Sequence, residues 1–282
     1  MSGILYIVGT PIGNLGDMSP RAVETLQKAD FLAVEDTRVT VKLLNHFGIK
    51  KSMVSYFEHN KFTRGEMICQ RILSGENCAI VTDAGMPCIS DPGEMLVRQC
   101  YDNNIEVVVV PGASAVVSAL AISGLPTSRF TFEGFLSVDK KERRTHLEEV
   151  KNEKRTMVFY EAPHKLNATL KDMFNTFGER NIAIVRELTK VHEEVIHTTL
   201  QEAVNDYAEN PLKGEIVLVI EGAKPSDEMA FTIDEAVIMA KNLVIAENIS
   251  LSDACKMVAK QTGLKKNVIY KNIVERDDSS EL

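Results

Sequence analysis

Short runs of β-branched and aliphatic residues, each stopped by Gly, Pro or an acid, recur along the 282-residue chain and constrain its fold more than any other feature. Ile4 to Val8, Phe31 to Val34, Cys78 to Val81 and Val107 to Val110 are too short and too uniformly apolar for surface helices. They predict buried strands. Between them, segments such as Pro20 to Ala29 and Gly65 to Leu73 carry the mixed spacing of helices. Alternation of this kind predicts a mainly parallel sheet with helices on both faces. The pattern restarts after Pro126, with strands expected at Phe130 to Phe132, Thr156 to Tyr160, Ile182 to Val185 and Glu215 to Ile220. The expected fold class is therefore α/β, with two α/β domains over residues 1–115 and 116–225. Ala223 to Asp227 reads as a linker, residues 226–282 as a small helical domain, and Asp277 to Leu282 as a frayed acidic tail.

Composition narrows the class. With 32 basic against 40 acidic residues the net charge is −8, so any nucleic-acid contact must use a local basic patch. The five cysteines are odd in number and form no C-x-x-C pair, which reads as reduced cytosolic thiols. No metal site is expected. The N-terminus lacks a basic n-region, and the small apolar stretch from Ala113 to Pro126 is far shorter than the ~20 residues of a membrane span. A soluble, cytoplasmic protein with no membrane contact is the expectation.

Chemistry concentrates where strands end. The first strand runs into Gly9-Thr10-Pro11-Ile12-Gly13-Asn14-Leu15-Gly16-Asp17, a turn that lets backbone amides approach a bulky ligand. Its spacing is neither G-x-G-x-x-G nor a P-loop. Glu35-Asp36 closes the second strand, either as an acid facing a ribose or as a cap below a helix starting near Thr37. The third strand ends in the long turn Thr82 to Gly93, in which Asp91 suits an N-cap, Pro92 suits position N1 and Asp83 is left to face a cleft. Pro111 to Ala115 gives a small-residue entry into a further helix.

Taken together, Gly9 to Asp17, Glu35 to Arg38, Asp83 to Pro87, Asp91 to Gly93 and Pro111-Gly112 resemble the tetrapyrrole-methylase-like methyltransferases. Phe132-Glu133-Gly134-Phe135-Leu136, Phe159 to Lys165, Arg186 to Lys190 and Gly214-Glu215 are similar to the branch that methylates small-subunit ribosomal RNA on a cytidine ribose. One departure is Gly9, where the family pattern leads us to expect Pro. The resemblance implies a homodimer that binds S-adenosylmethionine in a cleft between its two α/β domains and acts on 16S rRNA in the small subunit. Carried onto this chain, the cofactor residues are Pro11, Gly13, Asp83, Ala84, Gly85, Ile89, Ser114, Ala115, Leu136, Tyr160 and Glu161.

Methyl transfer to a ribose hydroxyl needs alignment and a destination for the hydroxyl proton. Asp36, Arg38, Glu161, His164, Arg186, Glu187 and Lys190 are the candidates, with the base unassigned. A carboxylate or a lysine of depressed pKa would accept the proton, and an arginine would hold a neighbouring phosphate. Bland readings compete: a cap at Glu35 to Arg38, a surface histidine at His164, and a structural ion pair at Arg186-Glu187.

Two basic features bear on RNA. Residues 140–155 hold seven Lys or Arg against four acids, among them Lys140, Lys141, Arg143 and Arg144. Leu251 to Arg276 holds six, including Lys265 and Lys266. It reads as helix, Gly263 turn, helix, with Ser252, Ala254, Val258, Ala259, Leu264, Val268 and Ile273 at core spacing, and resembles a helix-turn-helix. A solvated helix and a non-binding appendage are the respective alternatives. The competing functions are a small-molecule tetrapyrrole or modified-protein-residue methylase, and a non-catalytic nucleotide sensor.

Overall fold

The computed structural model describes residues 2–91, 93–208, 212–224 and 231–278. The chain divides into compact units of Met1–Ala223 and Lys224–Leu282.

In the larger unit, β1 (Ile4–Val8), β2 (Phe31–Val34), β3 (Ser52–Ser55), β4 (Cys78–Val81) and β5 (Glu106–Val110) form a parallel sheet in the order β3-β2-β4-β1-β5. Alternate residues serve opposite faces. Leu5, Ile7, Phe31, Ala33, Cys78 and Ile80 pack with Ile68, Ile72, Leu96 and Cys100, which lie on α3 (Lys61–Leu73) and α4 (Gly93–Asp102). Val8, Leu32, Val34, Ala79 and Val81 pack with Ala22, Leu26 and Leu44 of α1 (Pro20–Lys28) and α2 (Thr37–His46). Burial on both faces is why β2 and β4 carry no polar side chain. The chain leaves β1 toward β2 and leaves β4 toward β5, in opposite directions across the sheet. The carboxyl ends of β1 and β4 therefore flank a topological switch point, where open α/β sheets take ligands.

A second sheet holds β6 (Phe130–Phe135), β7 (Thr156–Glu161), β8 (Asn181–Arg186), β9 (Glu194–Thr199) and β10 (Ile216–Ile220) in the order β6-β7-β10-β8-β9. Here the expectation of a mainly parallel arrangement fails, because only β6 and β7 run parallel. Residues 187–193 are too few for a crossover helix, so β8 and β9 form a hairpin. One face of this sheet is covered by α6 (Lys140–Glu149), α7 (Leu166–Phe177) and α8 (Leu200–Asp206), through Leu147, Leu170, Met173 and Leu200. The other takes Val116, Ala119 and Leu120 of α5 (Ala115–Ile122), together with Ile12 from the loop after β1. That loop thus lies between the sheets.

The smaller unit is built from α9 (Ile233–Glu247), α10 (Leu251–Thr262) and α11 (Lys266–Asp278) around Ala236, Val237, Ala240, Ala254, Val258, Ile269 and Ile273. Capping fixes its helix ends: Thr232 and Glu235 form a capping box, Ser250 caps α10, and Gly263 turns the chain at φ 74°. Two expected core positions are corrected. Val268 is 44% exposed and Ser252 is exposed, since α11 starts at Lys266 and turns Ile269 inward instead. Pro225 to Asp227 of the linker and the tail from Ser279 lie outside the described residues, whereas Asp277 and Asp278 continue α11.

Candidate active site

A cleft of about 440 Å³ opens at the carboxyl ends of β1 and β4, lined across from them by residues of β6, β7, β8 and β10. The volume falls within the roughly 300–1,000 Å³ of small-molecule sites. Its floor is stitched from backbone. Thr10 N–H donates to the Gly85 carbonyl at 2.9 Å, Gly85 N–H returns to Thr10 at 3.2 Å, and the Thr10 hydroxyl reaches the Thr82 carbonyl at 3.2 Å. Gly85 sits at φ 85°, a conformation costly for any residue with a Cβ. The glycine at position 9 is also explained. A Cβ there would lie 2.6 Å from Gly112 Cα, and Gly9 N–H donates to Val110 at 3.0 Å, a bond proline would remove.

Asp83, Ala84, Gly85, Ile89, Ser114, Ala115, Tyr160 and Glu161, expected from the resemblance at the cofactor, all line this cleft. Others are displaced by one residue. Ile12 rather than Pro11 or Gly13, Glu35 rather than Asp36, and Phe135 rather than Leu136 supply the lining. Gly13 instead receives the stem of Lys190, whose Cγ would be 2.6 Å from a Cβ placed there. Leu136 turns into the core beneath the second sheet, because a bulge between Phe132 and Gly134 reverses the side-chain alternation of β6.

Asp36 and Arg38 are a helix cap. The Asp36 carboxylate accepts from Arg38 N–H at 2.7 Å and from its guanidinium at 2.6 Å, which lowers its pKa to about 2. Such a carboxylate is a poor proton acceptor, and neither residue lines the cleft. Asp83 behaves oppositely. Burial, then the neighbouring Glu35, raises its pKa, while Asp36 N–H donates to it at 3.3 Å. Asp91 accepts from Cys88 and Gly93 N–H, each at 2.8 Å, consistent with its expected capping role. Pro92 lies outside the described residues.

Glu161 is 2% exposed, and its oxygens are taken by Ala162 N–H at 2.7 Å, Lys165 at 3.0 Å and the Thr169 hydroxyl. It ties β7 to α7. His164 beside it is exposed and outside the cleft.

Around the β8–β9 turn, Lys190 bridges Glu187 at 2.9 Å and Glu215 at 3.2 Å, and Glu215 lines the cleft. Burial works against its charge, but the two carboxylates outweigh it and hold the ammonium's pKa above the ordinary lysine value. The expectation of a depressed-pKa lysine base does not hold at Lys190. Lys190, followed by the Glu215 N–H, lowers the pKa of Glu187. Arg186 points away, to Glu194 at 2.9 Å and the Lys213 carbonyl at 3.2 Å. Glu187 at φ 52° and Thr189 at φ 64° are left-handed here, as are Cys88 and Ser90 on the facing loop. Strain of this kind, at residues other than Gly or Asn, gathers at sites whose geometry is imposed by their surroundings.

Of the basic helix α6, Lys140, Lys141 and Arg144 flank a shallow open hollow. Arg143 is corrected: it is buried and held to Asp172 at 2.7 Å and to the Ser137 carbonyl at 3.2 Å, so its charge is not offered to a partner. Arg144 also reaches Asp172, at 2.9 Å, but remains half exposed. In the smaller unit Lys265 is exposed, while Lys266 donates to Ser252 at 2.8 Å.

The sequence profile described as Tetrapyrrole (Corrin/Porphyrin) Methylases matches residues 4–204. The chain is 47% identical to the ribosomal RNA small subunit methyltransferase I of Synechocystis sp., over 97% of this chain and 98% of that one. It is also 47% identical to the protein of the same name from Halalkalibacterium halodurans, over 95% and 93%. Among solved structures, it is similar to the uroporphyrin-III C-methyl transferase of Thermus thermophilus complexed with S-adenyl homocysteine. That likeness has TM-score 0.56 at 16% identity, covering 78% of this chain and 97% of that one, and it bears on the fold alone.

Proposed function

Because the chain belongs to the tetrapyrrole (corrin/porphyrin) methylase family, we propose that it is an S-adenosylmethionine-dependent methyltransferase acting on 16S rRNA of the small ribosomal subunit, at the 2′-oxygen of a cytidine. The observation that carries this reading is similarity to small-subunit RNA methyltransferases along nearly the whole chain, the smaller helical unit included.

The cleft fits the methyl donor. Adenosylmethionine has no phosphate, and the lining offers tight-turn backbone, carboxylates and small residues rather than a lysine-bearing P-loop. The backbone of Ala84, Gly85 and Ala115 would take the adenosine, and Asp83 would face a cationic group of the amino-acid end. When bound, the donor supplies an electrophilic methyl group on a sulfonium. The rest falls to the protein, which aligns the ribose oxygen and excludes water. Glu35 lines the cleft, accepts from the Thr82 hydroxyl at 2.8 Å and forms no ion pair among the described residues, which suits a lining carboxylate that takes the hydroxyl proton. Lys190 is committed to Glu187 and Glu215 and ties the β8–β9 turn to the cleft edge.

Lys140, Lys141 and Arg144, with Lys265 and Lys266, supply phosphate contacts. A homodimer also belongs to the reading. The edge strand β5 exposes Val109, and α5, apolar except for Ser118, leaves Val117 58% exposed, surface that a second copy would cover. The protein works in the cytoplasm, where its substrate is assembled, and no helix among the described residues is long and apolar enough to cross a membrane.

The test is nucleoside mass mapping of 16S rRNA from cells with and without the protein. A single ribose-methylated cytidine should disappear on deletion and return on complementation. Unchanged rRNA would refute the reading, and loss of a tetrapyrrole product instead would favour the small-molecule alternative.

A further inference from the structure

The bulge in β6 does more than hide Leu136. In register, Phe132 pairs with Val158 of β7, while Gly134 and Phe135 pair with Phe159 and Tyr160. Glu133 is thus an inserted residue. Residues three apart on a regular strand point to opposite faces, but this insertion brings Phe132 and Phe135 to the same one. Both rings pack on Tyr160, at centroid distances of 4.9 and 5.2 Å. Gly134, at φ 66°, supplies the turn that the bulge requires. Without the insertion Phe135 would face α6 and α7 with Leu136's core. With it, the ring lines the cleft and stays 56% exposed.

What sets this ring apart from other exposed apolar residues is its place: it is held by a tyrosine behind it and lines the cleft, so its free face is presented to whatever enters. The Lys165 ammonium lies 5.7 Å from the ring centroid, but it is committed to the Glu161 carboxylate at 3.0 Å and the Leu136 carbonyl at 3.1 Å, so what the ring offers a ligand is its aromatic face. Such a face suits a nucleobase: enzymes that act on one nucleotide withdraw it from its stack and seat it against aromatic side chains. We propose that Phe135 is the platform on which the base of the acceptor nucleotide stacks, positioning its ribose at the cleft. This proposal rests on the RNA reading above. It assigns Phe135 to the RNA and not to the methyl donor, because the ring stands at the solvent-open edge while Ala84, Gly85 and Ala115 supply the small, close surface.

The experiment compares wild type with Phe135→Ala, Phe135→Leu, Phe135→Tyr and Phe135→Trp, using small subunits from cells lacking this protein as the acceptor. Adenosylmethionine affinity is measured for each by calorimetry, which also reports folding. Losing one base stack should lower kcat/KM for the subunit by roughly 10–100-fold in Phe135→Ala and Phe135→Leu, with donor affinity within about twofold of wild type. Phe135→Tyr and Phe135→Trp should restore it. A leucine variant as active as wild type would overturn the platform, since apolar bulk alone would then suffice. A parallel loss of donor affinity would overturn it too, by placing the ring against the donor. Wild type that labels no ribosomal RNA removes both the reading and the platform, whereas labelling unaffected by Phe135→Ala removes the platform alone.

Discussion

At the scale of single residues, two carboxylates a short distance apart are pushed in opposite directions. Arg38 holds Asp36 ionised down to about pH 2, while burial and Glu35 make ionised Asp83 unfavourable. A cation arriving beside Asp83 favours its charged form, so binding should drive off a proton wherever Asp83 is still partly protonated. Donor affinity should therefore rise with pH through an acid window lying above the ordinary aspartate value of ~3.9, and level off beyond it. Calorimetry across that range checks this, and Asp83→Asn should flatten the profile and weaken binding. The sequence exposed this contrast only in part. Asp83 and Asp91 were separable by their places in the turn, but Asp36 and Glu35 are adjacent, and only the start of α2 decides which one caps. Glu161 was similarly legible as a cleft residue, yet its ties to Lys165 and Thr169 depend on α7 returning beneath β7.

At the scale of elements, strands buried on both faces were readable almost to the residue, since nothing but apolar side chains survives there. The edge strands β3 and β9 were not. Their sequences, Ser52–Ser55 and Glu194–Thr199, are half exposed and carry polar residues a loop could equally hold. The bulge in β6 was also invisible, and it is what turns Phe135 toward the cleft and Leu136 into the core. Helix α6 shows a different limit: its basic character is real, but Arg143 is bound inside the fold by Asp172 of α7. Burial raises and the two arginines lower the Asp172 pKa, and the arginines prevail. Asp172→Ala would leave a buried guanidinium unpaired, a change that typically costs about 3–5 kcal/mol. Denaturant unfolding should show that loss, while Lys140→Glu, on the exposed face, should leave stability within about 0.5 kcal/mol of wild type.

At the scale of the whole molecule, the smaller unit has its own core and its own caps, so it can be removed without opening the larger one. A chain ending at Ala223 should keep its melting-temperature rise with adenosylmethionine and lose most methylation of small subunits. Lys265→Glu with Lys266→Glu should give a shallower salt dependence of subunit binding, because fewer phosphates are neutralised. Unchanged methylation in both would make the unit structural. The α/β class and the site at strand ends were legible because parallel βα units leave their ligand loops at one sheet edge. The antiparallel half of the second sheet was not, since strand direction follows from connection geometry rather than composition. The proposed methyl acceptor is a ribose oxygen. It is tested most directly with small subunits carrying 2′-deoxycytidine at the target position and a labelled methyl donor. Phosphate, sugar and base contacts remain, and one lost hydrogen bond is worth only ~1 kcal/mol. Binding should be nearly unchanged with no methyl transfer, and labelling of the deoxy target would contradict a ribose acceptor.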